Sequence, residues 1–156
     1  MIRIVEASRE DHEQVLSLVE QLLAELEDRP GEFEKIDRPK VLRELAEAGG
    51  RYTAFLALDP AGRVVGVTTV MESFAIYAGG NYGVIDEMYV VPGQRSRGTG
   101  KLLIDAVKEH GRRKGWLRIE VTAPPEDKWN RTVKFYEDQQ FVFTGPKLRF
   151  RLKGAS

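Results

Sequence analysis

Cysteine is absent from this chain of 156 residues, so disulfides, thiolate metal sites and cysteine nucleophiles are all excluded. Histidine is scarce, because only His12 and His110 occur, far apart in sequence and without a second ligand at a useful spacing. We therefore expect structural roles for both histidines and no metal site. An excess of one charge is also lacking, since 24 Lys and Arg residues balance 24 Asp and Glu residues. The overall charge thus favours neither a nucleic acid nor an anionic membrane as partner.

Long apolar runs are missing as well. No stretch approaches the about 20 residues that a membrane helix needs, and the N-terminus lacks the basic segment and apolar run of a secretory signal. The chain instead has 42% hydrophobic and 31% charged residues without low-complexity tracts, which is typical of a globular protein. We expect a cytoplasmic chain with no membrane partner, folded as a single domain over residues 1–156.

The first half of the chain has the pattern of a strand, two amphipathic helices and a three-stranded meander. Ser8 with Asp11 three residues later is typical of a capping box, and apolar residues then recur at helical spacing up to Leu26. The segment Asp59-Pro60-Ala61-Gly62 supplies the backbone angles of a tight turn between two β-rich runs. The predicted strands span residues 2–5, 52–58, 63–71 and 82–91, and the predicted helices span residues 8–26 and 41–46.

Helical and strand-like patterns alternate in the second half. Residues 102–110 have one apolar helical face, and Gly115 stands where a helix C-cap belongs. A strand is predicted at 117–122 and a helix at 127–139. In residues 147–153, Leu148, Phe150 and Leu152 alternate with basic residues, which predicts a half-buried last strand rather than a nucleic-acid contact. The predicted order of elements is β-α-α-β-β-β-α-β-α-β-β.

The most informative segment is the loop at residues 90–101, Val-Val-Pro-Gly-Gln-Arg-Ser-Arg-Gly-Thr-Gly-Lys, between a predicted strand and a predicted helix. Gly98 and Gly100 let the backbone approach a ligand closely. The first amides of the following helix are unpaired donors at the positive end of the helix dipole. Three basic side chains add positive charge: Arg95, Arg97 and Lys101. The segment therefore predicts a phosphate cradle.

Two better-known phosphate motifs do not fit this loop. Counted from Gly93, a P-loop needs Lys and then Ser or Thr where Thr99 and Gly100 stand. Counted from Gly98, a Rossmann fingerprint needs Gly or Ala where Leu103 stands. A nucleoside triphosphatase or an NAD enzyme is therefore disfavoured. A plain glycine-containing turn with solvated basic residues is the structural alternative.

The segment Arg95-Ser96-Arg97-Gly98-Thr99-Gly100 resembles the R/Q-x-x-G-x-G/A loop of the GNAT superfamily of N-acetyltransferases. The resemblance extends to Val90-Val91-Pro92, to Lys101-Leu102-Leu103, to Phe135-Tyr136-Glu137 with Phe141, and to the order of elements. It implies an α/β (α+β) fold, with a mixed, mostly antiparallel twisted sheet of about six or seven strands flanked by about four helices. It also implies an acetyl-CoA-dependent N-acetyltransferase, with acetyl-CoA as co-substrate.

The resemblance implies a set of cofactor-binding residues. In the family, the loop amides hold the pyrophosphate of acetyl-CoA, and the backbone of the preceding strand pairs with the pantetheine arm. Pantetheine and the thioester would accordingly lie along Met88, Tyr89 and Val90. The pyrophosphate would lie on the loop residues Ser96, Arg97, Gly98, Thr99, Gly100 and Lys101, with Arg95 adding charge.

Acyl transfer to an amine needs a neutral amine, stabilisation of an oxyanion and a proton for the departing thiolate. No cysteine, G-x-S-x-G elbow or Ser-His pairing is visible, so direct attack in a ternary complex is the economical mechanism. Tyr136 matches the family position of the general acid, and a phenol with an ordinary pKa of about 10 carries its proton at neutral pH. Packing on a core helix is the alternative role for this residue.

Three carboxylates are candidates for the general base. Asp86 and Glu87 lie on the strand that enters the loop, and Glu120 lies on the next strand. The two-residue period places Asp86 and Glu87 on opposite faces, so at most one of them points into the site, and Glu87 is our first choice. A solvated or ion-paired carboxylate is the alternative for each, and bulk water can also accept the proton.

Two positions depart from the family pattern. The family often has Asn seven residues before the Tyr, where Trp129 stands here, and Asn130 is the neighbouring candidate for a CoA contact. The usual Leu-Gly-Phe after the helix is Gln139-Gln140-Phe141. Because the helix-ending glycine is missing, we expect an altered cap and an intact fold.

The acceptor is expected to be a primary amine, on a small molecule or a peptide. The resemblance implies that residues 22–40 and the loop at 74–81 recognise it. Acidic residues in the first segment favour a cationic amine, although a solvated face explains them equally well: Glu25, Glu27, Asp28, Glu32 and Glu34. A CoA-binding regulatory module without catalysis and a protein (N-terminal or lysine) acetyltransferase are the alternative functions. The sequence is compatible with a homodimer and does not fix the oligomeric state.

Overall fold

A computed structural model describes residues 1–26, 33–122, 130–145 and 147–152. The chain forms two compact units, Met1–Val121 and Thr122–Ser156. The first unit contains β1 Arg3–Glu6, α1 His12–Glu25, α2 Arg38–Ala48, β2 Tyr52–Leu58, β3 Val64–Ala75, β4 Gly80–Val90, α3 Thr99–Lys114 and β5 Ile119–Val121. The second unit contains α4 Asn130–Asp138. None of the helices in the described segments is long and apolar enough to cross a lipid bilayer.

The first unit is built on a five-stranded sheet in the order β1-β2-β3-β4-β5. Neighbouring strands are antiparallel except β4 and β5, which are parallel. The predicted turn between β2 and β3 is present, because the Asp59 carboxylate accepts the amides of Ala61 and Arg63 at 2.9 Å and Gly62 has a φ of 82°. The mixed, mostly antiparallel sheet predicted from the sequence is therefore confirmed.

Helices cover both faces of this sheet. On one face, Val15 and Leu18 of α1 pack into a buried cluster with sheet residues that include Val67 and Tyr89. On the other face, α3 lies against β2 and β3, where the rings of His110 and Phe55 are 5.7 Å apart. The alternation of side chains along each strand thus supplies two apolar layers, one for each helix.

A β-bulge interrupts β4 at Asp86. Thr69 of β3 pairs with Glu87 and the next residue, Val70, pairs with Ile85, so Asp86 is an extra residue in β4. The bulge leaves the Asp86 side chain exposed and places Glu87 on the same face as Thr69. The strict two-residue alternation expected for this strand therefore applies only on each side of the bulge.

In the second unit, the predicted helix at 127–139 corresponds to α4, and residues 127–129 lie outside the described residues. The ring of Tyr136 contacts Phe135 and Phe141 edge to face, at centroid distances of 5.2 and 5.6 Å. The phenol side chain of Tyr136 is buried. An aromatic cluster therefore forms around the end of this helix.

The predicted last strand is wrong for the described residues. Residues 147–152 adopt no strand, and Leu148, Phe150 and Leu152 are 92%, 86% and 92% exposed. The strand predicted at 117–122 is also shorter, since only Ile119–Val121 pairs with β4. Alternating apolar residues show which face a strand would bury, but a strand also needs a hydrogen-bonded partner. The described sheet accordingly has five strands rather than six or seven.

Candidate active site

The loop between β4 and α3 has an irregular backbone with positive φ angles, which glycine adopts easily. Gly93 and Gly98 have φ angles of 92° and 83°, and Ser96 has a φ of 63°, which is unusual for a residue with a side chain. The loop begins with two backbone hydrogen bonds, from Val91 to Val65 at 2.9 Å and from Gln94 to Val91 at 3.1 Å. The sequence-predicted loop therefore connects strand and helix as expected.

The N-terminus of α3 is open to a ligand. Gly98 is the N-cap in a left-handed conformation, and it has no side chain to accept the first amides of the helix. A Cβ at Gly98 would meet no described atom within 4 Å. The adjacent Thr99 is 1% exposed, and among the described residues its Oγ1 has no hydrogen-bond partner. Unpaired donors and a buried hydroxyl thus meet at one helix end, a combination that suits an anion.

The backbone of β4 is open on one edge where it approaches this loop. Strand β5 pairs with β4 only from Gly83 to Ile85. Residues 87–90 continue to pair with β3, but within the described segments no strand lies on their other edge. The sheet thus opens beside Met88, Tyr89 and Val90, the residues predicted to bind pantetheine, and it leaves backbone donors and acceptors for an extended ligand.

The three basic residues of the loop differ in their surroundings. Arg95 points back to α1, where its Nη2 donates to both carboxylate oxygens of Glu25 at 2.8 and 2.9 Å. Lys101 donates to Asp105 on the next turn of α3 at 2.7 Å. Arg97 is exposed. The positive charges expected around the cradle are therefore partly engaged by carboxylates of the chain itself.

Glu87 lies in a polar contact on the sheet face that α1 covers. Its Oε1 accepts the Thr69 hydroxyl, and its amide donates to Thr69 Oγ1 at 3.1 Å. Burial raises the pKa of the Glu87 carboxyl, the Thr69 hydrogen bond opposes that rise, and the Asp86 charge adds to it. The charges of Glu87 and Asp86 also help burial raise the pKa of Tyr52. Burial thus makes this carboxylate a stronger proton acceptor than an exposed glutamate.

Glu120 belongs to a different polar group. Its Oε2 accepts the Tyr77 hydroxyl at 2.8 Å and lies 3.6 Å from Nη1 of Arg118. The Arg118 guanidinium also stacks over the Tyr77 ring, with its Cζ 5.1 Å from the centroid. The carboxylate of Glu120 is thus engaged by Tyr77 and Arg118.

A family model described as "Acetyltransferase (GNAT) family" matches residues 16–141. The chain belongs to the GNAT acetyltransferase family. The match spans the open strand edge, the glycine loop and Tyr136, and it establishes the chain as an enzyme of the acyltransferase class. GNAT enzymes use acetyl-CoA. The uncapped helix, the orphaned Thr99 hydroxyl and the open β4 edge all fit such a long anionic molecule.

Solved structures share this GNAT fold. An aminoglycoside acetyltransferase from an uncultured soil metagenomic sample has a TM-score of 0.75 and 20% identity, covering 97% of this chain and 95% of that chain. A ribosomal-protein-alanine N-acetyltransferase from Brucella melitensis biovar Abortus 2308 has a TM-score of 0.75 and 19% identity, with coverages of 97% and 100%. A predicted acetyltransferase with acetyl-CoA from Clostridium acetobutylicum has a TM-score of 0.77 and 20% identity, with coverages of 97% and 97%. The comparison with curated proteins gave no match.

The remaining GNAT candidates lie in the second unit. Burial raises the pKa of Tyr136 to about 12, so its phenol keeps its proton across the neutral range. Asn130 begins α4, and its side chain lies outside the described residues, as does Trp129. The missing glycine after the helix is replaced by Gln140, which adopts a left-handed φ of 74°.

Sequence reasoning missed two residues beside the predicted GNAT site. The sequence places Glu25 in an acidic segment, but its carboxylate accepts Arg95 and the Tyr89 hydroxyl, so its charge is neutralised within the chain. Thr69 carried no signal, since a threonine in a β-rich run is ordinary. Of the other acidic residues in that segment, Glu27, Asp28 and Glu32 lie outside the described residues.

Both histidines pack against aromatic rings in the described structure. His110 lies between the rings of Phe55 and Trp116, with its Nε2 3.3 Å from Thr53 Oγ1. The ring of His12 meets Tyr52 edge to face at 6.1 Å. The described residues contain no cluster of three or more His, Cys, Asp or Glu side chains that could hold a metal ion.

Proposed function

We propose that this GNAT enzyme transfers the acetyl group of acetyl-CoA to a primary amine by direct attack in a ternary complex. One observation carries the proposal: the backbone edge of β4 at residues 87–90, open within the described segments, leads into a loop and an uncapped helix N-terminus. Such an arrangement provides hydrogen bonds for an extended arm and then for a pyrophosphate. Because the family match continues from residue 16 to 141, we further propose that both units act as one catalytic domain.

Backbone groups would supply most of the binding energy for acetyl-CoA. The open edge at Met88, Tyr89 and Val90 would pair with the pantetheine arm, and the amides from Ser96 to Lys101 would meet the pyrophosphate. The buried Thr99 hydroxyl lacks a partner among the described residues and gains one when an oxygen acceptor arrives. When bound, acetyl-CoA supplies an activated thioester carbonyl.

Glu87 is the proposed general base. Its carboxylate is half-buried and anchored by Thr69, whereas Asp86 is exposed at the bulge and Glu120 is paired with Tyr77 and Arg118. A raised pKa makes Glu87 a stronger proton acceptor than an ordinary glutamate. It would remove a proton from the attacking amine, directly or through water.

Tyr136 is the proposed general acid. Its matching family position and its retained proton support the donation of that proton to the departing thiolate. The raised pKa makes the phenol a weaker acid than an ordinary tyrosine, so burial opposes this donation and the matching family position carries the assignment. The Tyr136→Phe variant removes this proton and keeps the ring that contacts Phe135 and Phe141.

Titration calorimetry with acetyl-CoA tests the proposal. We expect selective micromolar binding to the wild type, no comparable binding of ATP or NAD, and loss of binding in the Gly98→Glu/Gly100→Glu variant. Gly50→Glu is the matched control, because Gly50 also has open space around it and lies away from the loop. Equal binding by the double variant, or none by the wild type, would remove the cofactor site.

A screen of amines then defines the acceptor. The relatives with the same fold include one named for aminoglycosides and one named for a ribosomal-protein alanine, so both kinds of amine belong in the screen. Turnover with small amines alone supports a small-molecule enzyme, and turnover with peptides alone supports a protein acetyltransferase. Binding of acetyl-CoA without turnover of any amine would contradict the proposed transfer.

Two variants test the catalytic roles. A general acid at Tyr136 predicts that Tyr136→Phe lowers kcat by about 10²-fold or more with little change in acetyl-CoA affinity. A base at Glu87 predicts that activity rises as the carboxylate loses its proton, with a midpoint above the ordinary glutamate pKa because burial raises it. Glu87→Gln should remove that acidic limb from the kcat/KM profile. Unchanged kcat in the first variant or an unchanged limb in the second rejects the role concerned.

A further inference from the structure

Three elements meet at Glu25, the last residue of α1. Its Oε2 accepts the Tyr89 hydroxyl of β4 at 2.7 Å, and its two oxygens accept Nη2 of Arg95 from the loop. The Arg95 guanidinium also stacks against Tyr89, with its Cζ 5.4 Å from the ring centroid. Because the contacts are charge-assisted and shared by three side chains, they fix Arg95 more firmly than a single surface ion pair would.

Arg95 also binds the loop itself. Its Nε donates to the carbonyl oxygen of Val90 at 2.7 Å, at the point where β4 ends. One guanidinium therefore joins the end of α1 to the start of the loop. The next residue, Ser96, has the left-handed φ of 63° that a side chain makes unfavourable. The strained part of the loop thus begins directly after the residue that is anchored.

We propose that Glu25 is a positioning residue for the acetyl-CoA loop, because it holds Arg95 as a brace between α1 and β4 instead of leaving Arg95 to bind phosphate. This inference rests on the proposed acetyl-CoA site. The brace orders the loop before the ligand arrives, so less of the binding energy is spent on fixing the backbone. Because Lys101 is itself paired with Asp105, the charge expected to attract the pyrophosphate then comes from Arg97 and the helix N-terminus.

The Glu25→Gln variant separates the two roles of Arg95 by the direction of the effect. If Arg95 braces the loop, the variant loosens it and weakens acetyl-CoA binding by about two- to five-fold. If Arg95 is a phosphate ligand held back by Glu25, the same variant frees the guanidinium and tightens binding. Calorimetry with acetyl-CoA reports this directly, and steady-state kinetics should give a raised KM for acetyl-CoA with an unchanged kcat.

Glu20→Gln is the matched control. Glu20 also lies on α1 and is paired with an arginine, Arg38 of α2, so this variant breaks a comparable ion pair away from the loop. It should leave acetyl-CoA affinity unchanged. The charge exchange Glu25→Arg/Arg95→Glu should recover part of the affinity lost in each single variant, because it restores an ion pair between the same positions.

The outcomes separate this inference from the proposed function. Absence of acetyl-CoA binding to the wild type would contradict the proposed function itself. Wild-type binding together with equal or tighter binding by Glu25→Gln would overturn the brace and leave the acetyl-CoA site standing. Weaker binding by Glu25→Gln, with Glu20→Gln unchanged, supports the brace.

Discussion

Helices α3 and α4 end in the same backbone motif, but α3 has Gly115 at the left-handed position and α4 has Gln140. At the end of α3, the amides of Gly115 and Trp116 donate to Arg112 and Gly111 at 3.2 and 3.0 Å. At the end of α4, the amides of Gln140 and Phe141 donate to Glu137 and Tyr136 at 2.9 and 3.0 Å. Both sets are the paired hydrogen bonds of a Schellman motif.

The two ends differ in what holds the aromatic residue that follows. Trp116 is inserted between glycines: a Cβ would lie 2.7 Å from its Cε3 at Gly83 and 2.9 Å from the same atom at Gly111. Its Nε1 also donates to Glu72 at 2.7 Å. Phe141 instead contacts the ring of Tyr136 on its own helix. The α3 end is therefore fixed by tertiary packing as well as by glycine, and the α4 end has the same hydrogen bonds together with ring contacts around Tyr136.

The largest effect is expected where the α3 end is most tightly packed. Gly83→Ala places a methyl group against the Trp116 ring and should destabilise the protein by about 2–3 kcal/mol, since neither β4 nor the buried indole can easily move. Urea denaturation followed by Trp fluorescence measures the change. Gly50→Ala, where a Cβ meets no described atom within 4 Å, is the control. Equal stabilities of the two variants would mean that Trp116 does not fix this end.

The next effect concerns the left-handed position of α3. Gly115→Gln gives α3 the residue that α4 already has, and it should destabilise by about 1–2 kcal/mol because a side chain disfavours the φ of 79°. Thermal and urea denaturation report the loss. A loss below that of the Gly50→Ala control would contradict the argument from backbone conformation.

The reverse substitution at the end of α4, Gln140→Gly, should stabilise the protein by less than Gly115→Gln destabilises it. Gln140→Gly removes the side chain from a left-handed residue, while the added freedom of glycine in the unfolded chain offsets part of the gain. We expect a net gain of about 0.5–1 kcal/mol. Hydrogen exchange at the Phe141 amide, which the motif protects, should slow in the variant. Faster exchange would show that Gln140 contributes contacts that outweigh its strain.

The smallest expected effect is on the pH dependence of the unfolding free energy, which should differ between the α3 end and the α4 end. Burial lowers the pKa of His110, which packs on Trp116, so the folded state prefers its neutral form. The corresponding stability is fully present above the ordinary histidine pKa of about 6.5 and is lost as pH falls below it. His110→Gln should therefore flatten the dependence of unfolding free energy on pH between about 7 and 5, by less than about 1 kcal/mol. Residues 130–145 contain no histidine, so truncating Phe141 should leave that slope unchanged.

Local signals predicted the α3 end well, and contacts distant in sequence decided the rest. Gly115 after an apolar helical face was enough to place the cap. The segment around Leu148 had an equally regular pattern and yet forms no strand in the described structure. Periodicity reports the faces of an element, whereas the existence of a strand depends on a partner that no local pattern specifies.

In the candidate site, too, local sequence predicts some features and contacts distant in sequence decide the others. The glycine loop and the strand before it could be predicted, because Gly98 and its neighbours encode their own backbone geometry. The partner of Arg95 could not, since Glu25 is 70 residues away and surface carboxylates pair in many ways. The bulge at Asp86 also has no distinct residue signature here, although it decides which face of β4 Glu87 occupies.

The open edge of β4 has a consequence for solubility. A row of unpaired backbone groups is a template on which another extended chain can add, and such edges promote aggregation. The exposed Asp86 places negative charge at the start of that edge, and the bulge distorts it, both of which discourage pairing between copies. A carboxylate next to the proposed general base would thus keep the protein dispersed, so Asp86→Asn should produce aggregates at high concentration.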